Sequence, residues 1–387
     1  MKKISFNLIA SLLYAITAMS IITLTSCEKE PLNAECDIET ASLPSQILVR
    51  EPIIENDKVT FIVKNGTDVE ALAPEFTLTP GATIEPPSGT VRNFTTPQTY
   101  TVTSEDKNWH KEYTVAVTYI TISLQYDFEH VKLEETNKSK YDVFFEVGID
   151  GKETLTWASG NAGFALTGMA QDKPADVFPT YQIAEGRSGK AVAMTTRLTG
   201  TFGALVNKPI ASGSLFLGQF DIANALSKPL ESTKFGTPFS RIPLRFKGYY
   251  KYTPGATFME LDRNASKPED KLKPVPGRVD ECNIYAVFFE TSPGKEYLDG
   301  TNVMAEDNDA IVAIAALDPE DRKKTDDWKE FDLVFKYREG KTVDLDKLAE
   351  GHYSITLCFA SSIDGDYFNG APESTLIVDE VELVCYE

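Results

Sequence analysis

Apolar and polar residues alternate over strand lengths in many segments of this chain, and turn-forming residues separate these segments. Lys58 to Val63 (KVTFIV) and Glu112 to Thr118 (EYTVAVT) have the period of two that places apolar side chains on one face of a strand. Pro80-Gly81 and Pro86-Pro87-Ser88-Gly89 are typical turn sequences. Aromatic and β-branched residues, which favour sheet over helix, are frequent. The sequence therefore predicts an all-β protein.

The first group of alternating segments covers residues 46–121 and has the length and turn spacing of a small β-sandwich. Within it, the stretch PEFTLTPGATIEPPSGTVRNFTTPQTYTVTSEDKNWHKEYTVAV resembles the immunoglobulin-like modules at the N-terminus of Bacteroidetes surface lipoproteins. The resemblance implies a spacer domain that holds a second domain away from the membrane.

The second group covers residues 122–387 and has enough strand-length segments for a jelly-roll β-sandwich. Two segments also fit a helix, Asp309 to Ala316 and Val343 to Glu350, although the first is equally consistent with a buried strand. The candidate strands are Tyr141 to Val147, Gly189 to Thr196, Ser214 to Phe220, Ile242 to Tyr252, Asn283 to Glu290, Trp328 to Tyr337, Tyr353 to Ser361 and Thr375 to Val384.

The first 26 residues have the pattern of a signal peptide, with two lysines followed by a mostly apolar stretch. Leu24-Thr25-Ser26-Cys27 resembles the bacterial lipobox, which implies cleavage before Cys27 and acylation of its thiol. Lipid chains on Cys27 supply the two signals that stable anchoring needs. Residues 27–45 are then a tether, and the protein is placed at the outer membrane, on the cell surface. The alternative is a single transmembrane anchor, because the apolar stretch approaches the length of a bilayer span.

The net charge is −20, with 58 acidic and 38 basic residues. Nucleic acid is therefore excluded as a partner, because phosphate binding requires a basic surface. A neutral or cationic ligand suits this charge better. The cysteines after Cys27 have no C-x-x-C spacing, which disfavours zinc and redox chemistry and favours buried thiols or at most one disulfide.

Several segments of the second block resemble one family, the lipoproteins with the "putative carbohydrate metabolism domain" (PCMD). The resemblance implies a jelly roll similar to carbohydrate-binding modules and a role in glycan handling, and it brings no catalytic residues. The matching segments are WASGNAGFALTG from Trp157, SGSLFLGQFD from Ser212, FGTPFSRIPLRFKGYYKYTPG from Phe235, DECNIYAVFFE from Asp280 and SSIDGDYFNGAPESTLIVDEVELV from Ser361.

Sugar binding uses flat aromatic faces for pyranose rings and polar groups for hydroxyls, in a concave site. Three segments combine these residue types, and for each aromatic residue packing in the sandwich core is an open alternative. The candidate ligand-binding residues are Trp157, Tyr249, Tyr250, Asp366, Tyr367 and Asn369.

The two ends of the second block resemble the terminal strands of carbohydrate-binding jelly rolls, which often share a structural calcium ion. Glu129 and Asp379 are the oxygen donors that the resemblance suggests for such an ion. The alternative is that both carboxylates face solvent at strand ends.

No catalytic motif for a serine nucleophile, a nucleotide phosphate or a metal is present, and His110, His130 and His352 are far apart in the sequence. Glycoside hydrolysis needs only two carboxylates, and Asp364 and Asp366 are the first pair to inspect; an Asx turn is the alternative role for both. We therefore expect a non-catalytic, glycan-binding surface lipoprotein. The alternatives are a glycoside-active enzyme and an adhesive protein that binds proteins, including other surface lipoproteins.

Overall fold

A computed structural model describes residues 32–48, 51–63, 67–119, 123–148 and 153–386. The predicted signal peptide and Cys27 lie outside these ranges. Within them, no helix is both long enough and apolar enough to cross a membrane.

The N-terminal unit is a β-sandwich with its own core. Strands β2, β3, β7, β6 and β5 form one sheet in that order, in which β3 and β7 run parallel, and β1 pairs with β4 on the other side of the core. Phe61, Tyr100 and Tyr113 are fully buried between the two layers. The strands are β1 (Ile38–Ser42), β2 (Ile53–Ile54), β3 (Lys58–Val63), β4 (Glu75–Leu78), β5 (Thr83–Glu85), β6 (Gln98–Thr103) and β7 (His110–Tyr119).

Strand β1 lies inside the segment that the sequence predicts as a tether. Ile38, Ala41 and Leu43 are buried in the N-terminal core. The pairing register shifts between Ile38 and Thr40, so the buried residues Ile38 and Ala41 are separated by three positions in the sequence instead of two. Apolar residues therefore do not occupy every second position of β1, and the alternation pattern does not predict this strand.

The C-terminal unit is built from many short strands and a few long ones. The strands are β8 (Gln125–Tyr126), β9 (Val131–Thr136), β10 (Ser139–Val147), β11 (Glu153–Thr156), β12 (Thr180–Ile183), β13 (Ala191–Thr195), β14 (Arg197–Leu198), β15 (Ile210–Ala211), β16 (Ser214–Phe216), β17 (Gly218–Phe220), β18 (Thr233–Phe235), β19 (Thr237–Pro238), β20 (Pro243–Thr253), β21 (Met259–Leu261), β22 (Leu272–Pro274), β23 (Asn283–Glu290), β24 (Ile311–Ala316), β25 (Lys329–Val334), β26 (Lys336–Tyr337), β27 (Tyr353–Ala360) and β28 (Thr375–Cys385).

Helical segments are short and occur in the connections between strands. The α-helices are α1 (Asn161–Ala165), α2 (Gly200–Leu205), α3 (Pro229–Ser232) and α4 (Leu345–Ala349), and 3₁₀ turns cover Ala175–Val177, Pro268–Asp270, Pro319–Asp321 and Gly365–Tyr367.

Two antiparallel sheets form the C-terminal sandwich. In sheet A the order is β12, β13, β28, β20, β25, with β8 paired to β28; in sheet B it is β16, β27, β23, β24, β26, with β19 paired to β27. The core between them takes Phe246 and Tyr250 from sheet A and Ile284 and Phe359 from sheet B. The prediction of an all-β protein with a large β-sandwich is confirmed. The immunoglobulin-like assignment of the N-terminal unit stays a prediction.

Candidate functional site

An open cavity of about 200 Å³ lies on the outer face of sheet B, away from the sandwich core. Strand pairing places its floor in two rows. Ala360 on β27 lies between Ser214 on β16 and Asn283 on β23. In the next row, Cys358 lies between Phe216 and Tyr285. All six residues line the cavity.

The sequence of β27 explains why there is space above this floor. Ile355, Leu357 and Phe359 point into the sandwich core, so their neighbours in the chain face the other side. Those neighbours include Cys358 and Ala360, which are small. Because the central strand of the floor carries small side chains there, a hollow remains between the larger residues of β16 and β23.

Connections between strands form the walls of the cavity. Helix α1 contributes Phe164, α2 contributes Phe202, and the segment before and within α3 contributes Leu226 and Leu230. Phe202 and Leu226 are 41% and 44% exposed, so apolar side chains reach solvent at the mouth. A cavity with aromatic walls and an accessible apolar rim is typical of a ligand-binding site.

Asp366 brings a carboxyl group into this apolar cavity. Asp366 as a whole residue is exposed to solvent. Desolvation of its carboxyl group raises the pKa of Asp366, and the nearby negative charge of Asp364 raises it further. Asp366 carries no side-chain hydrogen bond to any described residue, and the same holds for the side chains of Asn283 and Ser214. These groups are therefore available to a ligand.

Asp364 lies on the other side of the same loop. Its carboxylate forms an ion pair with Arg278, and both residues line a second pocket with Glu281. The guanidinium of Arg278 stacks on the ring of Phe258 at 3.8 Å. The two carboxylates that the sequence suggests as a pair therefore face different pockets.

The residues after Asp366 have different surroundings. Tyr367 is 58% exposed and does not line the cavity. Asn369 uses its Oδ1 to accept a hydrogen bond from the backbone N–H of Leu261 at 2.9 Å. Phe368, which sequence reasoning missed, does line the cavity, and the ammonium of Lys208 lies 5.4 Å from its ring centroid.

Trp157 and Tyr250 are core residues. Trp157 is 2% exposed and packs edge-on against Tyr126 at 5.1 Å, and Tyr250 is fully buried with its hydroxyl donating to the carbonyl of Asp321 at 2.6 Å. Neither side chain can contact a ligand at the surface, because the two sheets enclose both. The expectation that these two residues bind ligand is therefore corrected, and the core alternative describes them.

Tyr249 lies on the outer face of sheet A, on the opposite side of the sandwich from the cavity. Its ring is half-buried beneath the guanidinium of Arg187, which lies 3.6 Å from the ring centroid and pairs with Glu380. The structure thus does not bring Tyr249 together with Asp366.

Glu129 and Asp379 flank one turn, at residues 186–190. Oδ2 of Asp379 accepts hydrogen bonds from the backbone N–H groups of Arg187 and Ser188, and Glu129 accepts one from Lys190 at 2.6 Å. N–H donors therefore use the oxygens that a cation would need, and the described residues contain no group of three His, Cys, Asp or Glu side chains placed for a metal. The contacts do not match the oxygen-rich shell of calcium, and the calcium ion stays a prediction.

Two family profiles match the chain. Residues 127–384 match the family described as "Putative carbohydrate metabolism domain", and residues 45–117 match "SGBP, N-terminal". The comparison with curated proteins gave no match.

Two solved structures are similar over most or all of their own length. A protein from Bacteroides thetaiotaomicron, described as a putative glycoside hydrolase, is 46% identical, with coverage of 93% of this chain and 99% of the other and a TM-score of 0.81. A second protein so described, from Bacteroides vulgatus, is 41% identical, with coverage of 69% and 99% and a TM-score of 0.61.

Proposed function

The chain belongs to the "Putative carbohydrate metabolism domain" family, and on that premise we propose that it binds a glycan in the cavity over sheet B without cleaving it. The observation that carries the proposal is the carboxyl group of Asp366, which has no hydrogen bond to a described residue and lies in a cavity lined by aromatic rings.

The floor of the cavity supports this ligand class. Ser214 and Asn283 offer a hydroxyl and an amide at one end, while the accessible rings of Phe202 and Phe220 offer apolar surface at the wall. Hydroxyls of a sugar need such directional partners, and the C–H faces of a pyranose need flat apolar surface. A cavity of about 200 Å³ that opens to solvent suits the end of a glycan better than a long chain.

The arrangement of carboxylates favours binding over hydrolysis. Glycosidases that use two carboxylates place both beside one scissile bond, within about 10 Å of each other. Among the described residues, Asp366 is the carboxylate that lines the cavity, and Asp364 is held in its ion pair with Arg278 outside it. Hydrolysis is the second candidate, because the two similar solved structures are described as putative glycoside hydrolases.

We place the protein at the cell surface, anchored in the outer membrane through lipid on Cys27. The signal-peptide and lipobox pattern and the match of residues 45–117 to "SGBP, N-terminal" support this location. The N-terminal sandwich then acts as a spacer that presents the cavity to glycans, and other surface lipoproteins are further candidate partners. A Cys27→Ser variant should lose labelling by radioactive palmitate and leave the membrane fraction; an unchanged membrane fraction would contradict the anchor.

A polysaccharide panel tests the binding function. The protein used is the chain after Cys27, which contains both the N-terminal and the C-terminal unit. We expect it to be retarded in affinity gels that contain the cognate glycan. We expect no new reducing ends after it is incubated with that glycan. Asp366→Asn combined with Asn283→Ala should abolish the retardation. Asp307→Asn is the matched control, because Asp307 is exposed and lies outside the cavity. New reducing ends that disappear in the Asp366 variant would instead establish hydrolysis.

A further inference from the structure

The cavity changes from polar to apolar along one direction of its floor. On the polar side, the backbone N–H of Ser362 donates to Oγ of Ser212 at 3.1 Å, and these two residues lie just beyond the row of Ser214 and Ala360. Asp366 follows Ser362 on the same loop. The hydroxyl, amide and carboxyl groups of the cavity are therefore concentrated at one end.

The chain from Ser212 to Phe220 leads to the other end. Strand β16 stops at Phe216, and β17 turns away from sheet B to pair with β18, where Phe220 faces Thr233. Phe220 lies against α1, since a Cβ added to Gly163 would be 3.0 Å from its ring. The remaining lining residues of this end are Ala225, Leu226, Pro229, Leu230, Ser232, Thr233 and Phe235.

The apolar end offers few partners to a hydroxylated ligand. Ser232 already donates its hydroxyl to the carbonyl of Pro229 at 2.6 Å, which leaves Thr233 as the other side-chain hydroxyl among the described lining residues there. A sugar unit in this end would lose water from its hydroxyls without equivalent hydrogen bonds, which is unfavourable. An aryl or acyl group would instead remove apolar surface from water.

We infer that the ligand is a glycan that carries an apolar substituent, aryl or acyl, on its terminal sugar. The sugar lies at the end with Asp366, Asn283 and Ser214, and the substituent lies between Phe220 and Leu226. This inference rests on the proposed function, because it assigns the two ends of the same cavity to the two parts of one ligand.

Simple glycosides separate the two parts of the ligand. Calorimetric titrations would compare the methyl, p-nitrophenyl and octyl glycosides of glucose, galactose, mannose and xylose, with octyl glycosides below their micellar concentration. For at least one sugar we expect the p-nitrophenyl or octyl glycoside to bind at least tenfold more tightly than the methyl glycoside. The aryl and alkyl arms show which type of substituent the cavity prefers.

Variants at the cavity mouth test the position of the substituent. Leu226→Ser should weaken the binding of the apolar glycosides more than that of the methyl glycoside, so that most of the tenfold difference between them is lost. Leu205→Ser is the matched control, because Leu205 is 62% exposed and does not line the cavity. It should leave all affinities unchanged. Circular dichroism and melting curves confirm that both variants fold.

Other results of the titrations would contradict either the apolar substituent or the proposed glycan binding, and the two failures are distinguishable. Equal affinities for the methyl, p-nitrophenyl and octyl glycosides of every sugar would overturn the apolar substituent and leave glycan binding in place. Free p-nitrophenol or octanol that binds as tightly as its glycosides would overturn the proposed function, because the sugar would then contribute nothing. Failure of every glycoside and every polysaccharide to bind would overturn both.

Discussion

The indole Nε1 of Trp157 donates a hydrogen bond to Oε1 of Glu146 at 2.8 Å inside the C-terminal core. Glu146 is 6% exposed, so its carboxyl group has little contact with water. Burial raises the pKa of Glu146 from 4.5 to about 7, although the hydrogen bond from Trp157 opposes this rise. A buried acid next to a fixed donor therefore titrates near neutral pH.

Glu146 should make the stability of the protein depend on pH. Its pKa is higher in the folded chain than in the unfolded chain, so the folded state holds the proton more tightly. The contribution of Glu146 to the free energy of unfolding is fully present below pH 4.5 and is lost as the pH rises through about 7. The difference between the two pKa values corresponds to about 3 kcal/mol at most.

Urea denaturation between pH 4.5 and 8 measures this effect. Glu146→Gln keeps an acceptor for Trp157 Nε1 and cannot titrate, so the wild-type protein should lose more free energy of unfolding than the variant over this range. Other buried acids, including Asp142 and Asp280, are present in both proteins, so their effects on the free energy of unfolding cancel when the two pH profiles are subtracted. Parallel pH profiles for the two proteins would contradict the assignment.

Asp379 should contribute more to stability than Glu129, although both flank the same turn. Asp379 is fully buried and accepts backbone hydrogen bonds from Arg187, Ser188 and Glu380. Asp379→Ala leaves these N–H groups without their acceptor, and we expect it to lower the free energy of unfolding by about 3 kcal/mol or more. Glu129→Ala should cost about 1 kcal/mol. Chemical denaturation of both variants gives the values; equal losses would contradict the difference in burial.

The same turn tests the predicted calcium ion. Because N–H groups occupy the carboxylate oxygens of Asp379 and Glu129, we expect the melting temperature to be the same in EGTA and in millimolar calcium. A ligand that binds only the folded state raises the melting temperature further as its concentration increases. A rise with calcium that is absent in Asp379→Asn would establish the ion at this turn.

Filling the cavity should block ligand binding without unfolding the protein. Ala360→Leu adds side-chain volume at the centre of the floor, where open space is present. We expect glycan binding to weaken at least tenfold and the free energy of unfolding to change by less than about 1 kcal/mol. Ala349→Leu, at the exposed end of α4, is the control for the added side chain. Unchanged retardation of Ala360→Leu in affinity gels would place the ligand elsewhere.

The sequence predicted the strands that keep strict alternation or a continuous apolar run. Lys58–Val63 and Asn283–Glu290 have the predicted bounds. Ile311–Ala316 is a strand of sheet B and not a helix, because it pairs with β23 on one side and β26 on the other. The helical pattern at 343–350 forms the short helix α4.

Two predicted strands are divided in the structure. Trp328 to Tyr337 forms β25 in sheet A and β26 in sheet B, and Ser214 to Phe220 is divided as well. Ser214 to Phe220 reads as continuous, but Leu217 separates β16 from β17, and Gly218 has a φ of 152°. The turn brings the backbone so close to Lys234 that a Cβ on Gly218 would be 2.0 Å from its carbonyl oxygen. Only tertiary pairing with β18 reveals this break, since glycine also occurs in regular strands.

The candidate site could be predicted only in part. The polar loop with aromatic neighbours suggested Asp366, which does line the cavity, and its binding role stays a prediction. Phe216, Phe220 and Phe368 gave no signal of their own, because an aromatic residue in a sandwich sequence has the same pattern whether it packs in the core or lines a cavity. Trp157 and Tyr250 were misassigned for the same reason.

The floor of the cavity belongs to strands, whereas its walls belong to the connections between them. The pairing of β16, β27 and β23 fixes the floor independently of the connecting segments 199–209, 221–232 and 362–368. Exchange of these segments between relatives could therefore alter ligand preference while the sandwich folds as before, since surface connections tolerate replacement better than paired strands. One sandwich scaffold could in this way carry cavities of different shape and chemistry.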